Sequence, residues 1–144
     1  MNYSYKKRLK KELFENNFLE HNFQITYHIE FIEIILDNKY RYILSYDYPF
    51  KCPYFYINGY FYNHFLKLKN HHLGKILQDY HFECPCCSSM INFWSPTRML
   101  KDFIMEYRKY KKSYQEIYNI YFIEKIVGKI IDDKYLILNI FYYL

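Results

Sequence analysis

No apolar run in this sequence approaches the roughly 18 residues that a membrane-crossing helix needs, so no membrane partner is expected. The last ten residues, 135 to 144, are very apolar but too short to cross. Internal repeats and low-complexity linkers are missing, which leaves a single packed domain as the expectation. No nucleic-acid-binding motif accompanies the basic residues, so nucleic acid is not an expected partner. There is no second C-x-x-C pair, the usual mark of a structural zinc site. A signal-peptide pattern is also lacking. The four cysteines are therefore expected in a reducing, cytoplasmic or otherwise intracellular setting.

What is present is a chain of 144 residues, about half of them hydrophobic, enough to bury a core as one domain. It holds 20 Tyr and 13 Phe. With Ile, Asn and Lys, these are residues of AT-rich codons. The excess therefore points to an AT-rich microbe or a large DNA virus as source, and to sheet packing rather than a base-stacking platform. The net charge of +5 is concentrated at Lys6, Lys7, Arg8, Lys10 and Lys11, a cluster suited to an acidic protein face or to a solvated helix surface.

Period 3.6 over residues 3 to 16, with Tyr5, Leu9, Leu13 and Phe14 on one face, predicts a first helix that stops at Asn16-Asn17. Strict alternation from Phe23 to Phe31 predicts a half-buried strand, continued over Ile32 to Leu36 past a bend. Asp37-Asn38-Lys39 reads as a turn, and Tyr40 to Tyr46 as a strand pairing back on the one before. Pro49 and Pro53 interrupt the sheet, Tyr54 to Ile57 resumes it, and Asn58-Gly59 signals a hairpin into Tyr60 to Phe65. Residues 66 to 83 are polar and His-rich, and are expected to be irregular with a short helix near Leu73 to Leu77. Ser95-Pro96 is a helix start, with Met99, Leu100, Phe103, Ile104 and Tyr107 as the buried stripe. Ser113 with Glu116 forms a capping box for a further helix to about Val127, ended by Gly128. Asp132-Asp133 then turns into a last strand-like segment.

The chemistry of the chain is concentrated in residues 84 to 96. Cys84, Cys86 and Cys87 are three of its four cysteines, and Trp94 is its only tryptophan. Thiolates are nucleophiles and soft-metal ligands, whereas buried thiols are small hydrophobes. Cys84-x-x-Cys87 has zinc-ligand spacing that Cys52, Cys86, His71, His72 or His81 would have to complete, so a zinc-binding module is one reading.

Tyr48-Pro49-Phe50-Lys51-x-Pro53 and Trp94-Ser95-Pro96 resemble motifs of the ubiquitin-conjugating (E2) family, which carries Y-P-F-K-P-P after its third strand and W-S-P at its second helix. Lys7-Arg8-x-x-Lys11-Glu12-Leu13 is similar to that family's first-helix motif. The resemblance is strongest over residues 6 to 104, with 105 to 144 a divergent C-terminal extension. It implies an α+β, UBC-like domain: N-terminal helix, four-stranded antiparallel meander, cysteine loop, C-terminal helices. It also implies a cysteine that carries ubiquitin or a ubiquitin-like modifier as a thioester, with an activating enzyme and a ligase as partners and no cofactor. Cys87-Ser88-Ser89-Met90-Ile91, seven residues before Trp94, fits the family's nucleophile pattern best. Cys86 is the second choice, and Cys84 stays open. The family's His-Pro-Asn has Tyr62-Asn63-His64-Phe65 as counterpart, so the resemblance makes Asn63, with His64 as the alternative, the candidate oxyanion donor. Lys7, Arg8, Lys11, Pro49, Phe50, Pro53, Trp94, Ser95 and Pro96 are the implied binding residues. The alternative is a UBC-like scaffold without conjugating activity, partnered by other protein subunits, in a virion for instance.

Overall fold

The structure is a computed structural model, and it describes residues 4–15, 21–68 and 70–127. It is α+β, with a five-stranded antiparallel sheet in the order β1-β2-β3-β4-β5. No helix among the described residues is long and apolar enough to cross a membrane. The chain divides into two compact units. The first is Met1–Leu66 with Ser89–Glu106, and the second is Lys67–Ser88 with Tyr107–Leu144.

The first unit opens with α1 (Ser4–Lys10), which widens into a π-helical turn over Lys11–Glu15. Tyr5, Leu9 and Leu13 are buried as the period required, but Phe14 is half exposed and Glu12 takes a buried place instead. The expected stop at Asn16-Asn17 lies outside the described residues.

The sheet is a meander of β1 (Phe23–Tyr27), β2 (Phe31–Leu36), β3 (Tyr40–Ser45), β4 (Tyr54–Ile57) and β5 (Tyr60–Phe61). Five strands stand where four were expected. The alternating run 23 to 31 is not one strand. It breaks after Tyr27, the His28 N–H donates to the Phe31 carbonyl at 2.9 Å, and the chain folds back so that β2 pairs antiparallel with β1. Ile29, which alternation assigned to the inner face, sits at the tip of this hairpin and is 97% exposed.

The register places apolar side chains in rows across the buried face. Ile34 lies opposite Tyr42 and Tyr42 opposite Phe55; one step on, Leu36 faces Tyr40 and Tyr40 faces Ile57. Such directly opposed pairs are the unit of sheet stabilisation. Asp37-Asn38-Lys39 makes the expected turn between β2 and β3, and Asn58-Gly59 the expected two-residue hairpin, with positive φ at Asp37, Asn38, Asn58 and Gly59. The last strand is only two residues long. Tyr62–Phe65, expected as strand, is the short helix α2, whose Tyr62 is fully buried.

After a 3₁₀ turn at Met90–Phe93 comes α5 (Leu100–Val127), whose residues up to Glu106 belong to this unit. Phe103 is fully buried and touches Tyr42, Phe55, Tyr62 and Trp94, with ring centroids 5.1 to 6.3 Å apart. Full burial of one such ring stabilises by about 2–3 kcal/mol.

The helix does not start at Ser95-Pro96. There the Arg98 N–H closes a turn on the Ser95 carbonyl at 3.0 Å, and the Ser95 and Thr97 hydroxyls pair at 2.7 Å. The start falls at Leu100 because carboxylates take its first N–H groups. Asp102 accepts from the Met99 N–H at 2.8 Å, and Glu12 accepts from the Leu100 N–H at 2.7 Å.

The second unit contains α3 (His71–Asp79), α4 (Pro85–Ser88) and α5 from Tyr107 onward. The short helix expected near Leu73 to Leu77 is present and longer, spanning residues 71 to 79; the Asn70 side chain caps it by accepting from the His72 N–H at 2.9 Å. Leu73 and Ile76 of α3 pack with Ile117 and Ile120 of α5 into a small core, flanked by Tyr80, Tyr114 and Tyr121. No second helix begins at Ser113. α5 runs straight through, and the Ser113 hydroxyl donates to the Lys109 carbonyl one turn back, at 3.3 Å. Gly128, Asp132-Asp133 and the apolar ending lie outside the described residues.

Candidate functional site

The cysteine segment forms in the second unit. Pro85 opens the short α4, where it loses no needed hydrogen bond. The Cys84 carbonyl accepts from the Ser88 N–H at 2.9 Å and from the Cys87 N–H at 3.2 Å. This single turn gathers three sulfurs. Cys84 Sγ lies 3.1 Å from Cys86 Sγ, and Cys86 Sγ lies 3.8 Å from Cys87 Sγ. Cys86 and Cys87 are exposed and Cys84 half-buried, and none is in a disulfide.

Cys84 and Cys86 do not ionise alike. Partial burial pushes the Cys84 thiol up, but S–H donors from Cys86 and Cys87 and the backbone N–H groups of Cys87 and Cys86 outweigh it. The net result is below the usual thiol value. Cys86 moves the other way, to about 12, because it donates its proton to Cys84, with desolvation and the neighbouring sulfurs adding to the effect. The cluster is therefore built to hold one negative charge, centred on Cys84. Tyr114 of α5 has its phenol pushed well up, first by burial and then by the charge of Cys86 and Cys84. Motif fit alone had ranked Cys87 and Cys86 ahead of Cys84, because ionisation depends on which N–H groups face a sulfur. The one available sequence signal was Pro85, which starts a turn immediately after Cys84.

The remaining sites lie in the first unit. Glu12 is 1% exposed and joins α1, the proline crossing and the start of α5. It pairs with Arg8 at 2.5 Å and accepts from the Tyr48 hydroxyl and from the Leu100 N–H. Arg8 also donates to the Arg98 carbonyl at 2.7 Å, so this side chain is turned to structure rather than to a partner. Lys7 and Lys11 are exposed, as are Lys6 and Lys10.

Pro49 and Pro53 are buried in the crossing between β3 and β4, while Phe50 between them is 68% exposed. Trp94 is half-buried and donates its indole N–H to the Pro49 carbonyl at 2.8 Å, binding the Trp-Ser-Pro stretch to the proline crossing. Ser95 is half-buried and Pro96 exposed. Cys52 in the crossing is a poor nucleophile: burial, then the charge of Glu106, raises its thiol to about 11.

Asn63 is half-buried in α2. Ser89 is fully buried and donates to Glu106 at 2.9 Å, so its hydroxyl is committed to structure. Glu106 also accepts from the Tyr62 hydroxyl at 2.8 Å and from the Met90 N–H at 2.6 Å. Neither this second carboxylate centre nor that of Glu12 was assigned a structural role from sequence. A Glu in a helix reads as surface until a buried donor is seen to face it.

No family model matches this chain, and no curated protein or solved structure matches it significantly.

Proposed function

We propose that this protein is a UBC-like carrier that holds ubiquitin or a ubiquitin-like modifier as a thioester on its cysteine segment. The observation that carries the reading is the thiol cluster, accessible at the surface and biased toward one thiolate at Cys84. A thiolate is what such transfer requires. It attacks the modifier's C-terminal thioester carbonyl, a new sulfur–carbon bond forms, and the activating enzyme's thiolate leaves. A lysine amine then attacks the same carbonyl, the cysteine thiolate leaves, and the amine proton passes to solvent. Cys84, by its ionisation, and Cys87, by its motif fit and exposure, are the candidate nucleophiles. Cys86, held protonated up to about 12, is assigned as donor to Cys84. Asn63 belongs to the first unit and the cysteines to the second, so no oxyanion donor is assigned to the thiol cluster.

The test incubates the protein with ATP, ubiquitin and each of several activating enzymes, and compares gels with and without reductant. A reductant-sensitive adduct, lost in Cys84→Ala or Cys87→Ala and retained in Cys52→Ala, is expected. No adduct with any activating enzyme sinks the proposal.

The second reading is a UBC-like scaffold without conjugating activity, bound to other protein subunits. The Glu12 network favours it, since it ties the first helix, the proline crossing and the start of α5 together by contacts that need no reactive thiol.

A further inference from the structure

Among the described residues, one group of metal-ligating side chains closes on a single point. The ligand atoms of Cys84, Cys86 and Cys87 all lie within 4.8 Å of one another. We propose that these three sulfurs bind one soft d10 cation, zinc(II) or copper(I). The proposal shares its sulfurs with the thioester reading but does not rest on it.

Donor chemistry selects the ion. An all-thiolate set favours zinc or copper(I) over magnesium or calcium, which take oxygen ligands. Geometry agrees. Sulfurs about 2.3 Å from one ion stand roughly 3.8–4.0 Å apart in tetrahedral or trigonal arrangement. Cys86 and Cys87 are already at 3.8 Å, and Cys84 and Cys86, at 3.1 Å, need to open by less than about 1 Å. Cys86 and Cys87 are exposed, so rotation about their side-chain bonds can supply that movement without disturbing a core.

Three metal–sulfur bonds form, the S–H bonds that remain are broken, and their protons go to buffer. The ion keeps its oxidation state. No fourth His, Cys, Asp or Glu joins the group among the described residues. Copper(I) would be three-coordinate there, and zinc would take a water or another exogenous fourth ligand. A sulfur bound to the ion is not free to attack a carbonyl, so occupancy and thioester formation exclude one another.

The full chain, reduced and kept anaerobic, is titrated separately with zinc(II) and with copper(I) against a chromophoric chelator. Stoichiometry is read by native mass spectrometry. One equivalent of at least one ion is expected. Cys84→Ser, Cys86→Ser and Cys87→Ser should each weaken binding about 100-fold or more, since even outer-shell losses reach that size. Cys52→Ser should leave it unchanged. Circular dichroism of each variant separates loss of a ligand from loss of fold, and a Cys86→Ala variant repeats the test if Cys86→Ser does not fold. No stoichiometric binding of either ion overturns the proposal. So does binding that survives Cys86→Ser, or that disappears equally in Cys52→Ser. Because the readout is the bound ion, a failed thioester assay leaves this result standing, and a failed titration leaves the thioester assay standing.

Discussion

At Cys84, opposing influences of burial and hydrogen bonding resolve toward the thiolate, while its neighbour Cys86 is pushed to about 12. A folded-state pKa below the ordinary value means the anion is already populated at a pH where a free thiol is not. The rate of alkylation by iodoacetamide should therefore show a first thiol reacting with a midpoint below the usual thiol value of about 8.5. Peptide mapping should show Cys84 reacting well ahead of Cys86. Equal rates at these two positions would contradict the charge distribution described above. The sequence made the segment visible through its cysteine density. It did not rank the sulfurs, because residues adjacent in sequence do not reveal which N–H groups will point at which side chain.

Between elements, a single carboxylate connects α1, the proline crossing and the start of α5. Glu12→Gln keeps the size and removes the charge that Arg8, Tyr48 and the Leu100 N–H converge on. Hydrogen bonds to a charged group contribute about 1.5–3 kcal/mol, so the variant should unfold at lower denaturant, by about 2 kcal/mol in stability. A change under about 0.5 kcal/mol would show that the network does not hold these elements. The same carboxylate explains why a legible signal misled. Ser95-Pro96 is a good local helix start, but the N–H groups of Met99 and Leu100 found better acceptors, and the helix begins there. The capping box at Ser113 failed for the converse reason. Tyr110, Ile117 and Ile120 continue one buried stripe across it, and packing outweighs a local alternative. The β1–β2 hairpin was hidden because Ile29 stays in phase with the strand while the turn carries no Gly or Pro.

Taken whole, the molecule has its helix–meander–helix order written in periodicity, and its turns at Asp37-Asn38 and Asn58-Gly59 written in composition. The helix expected near Leu73 to Leu77 was legible only in part: its full span over 71 to 79 was not, since its buried face is only Leu73 and Ile76. The abundance of Tyr has a measurable consequence at this scale. Tyr42, Tyr48, Tyr80 and Tyr114 all have phenols raised above the ordinary value, in each case first by burial. A raised folded-state pKa gives stability that is fully present below the unfolded value of about 10 and is lost as pH climbs toward the folded one. Tyr42, Tyr48, Tyr80 and Tyr114 should therefore ionise only with cooperative alkaline unfolding, seen as a late rise of phenolate absorbance that coincides with loss of the circular dichroism signal. Ionisation of these four rings with the fold intact would contradict the burial pattern.

The indole bonded to the Pro49 carbonyl has an optical consequence. Trp94 is the chain's sole tryptophan, with the Tyr48 ring centroid 6.3 Å away and other tyrosines crowded into the same core. Light absorbed by those phenols drains to one emitter. The colour of that emission is a built-in gauge of whether the proline crossing is intact, readable without a label.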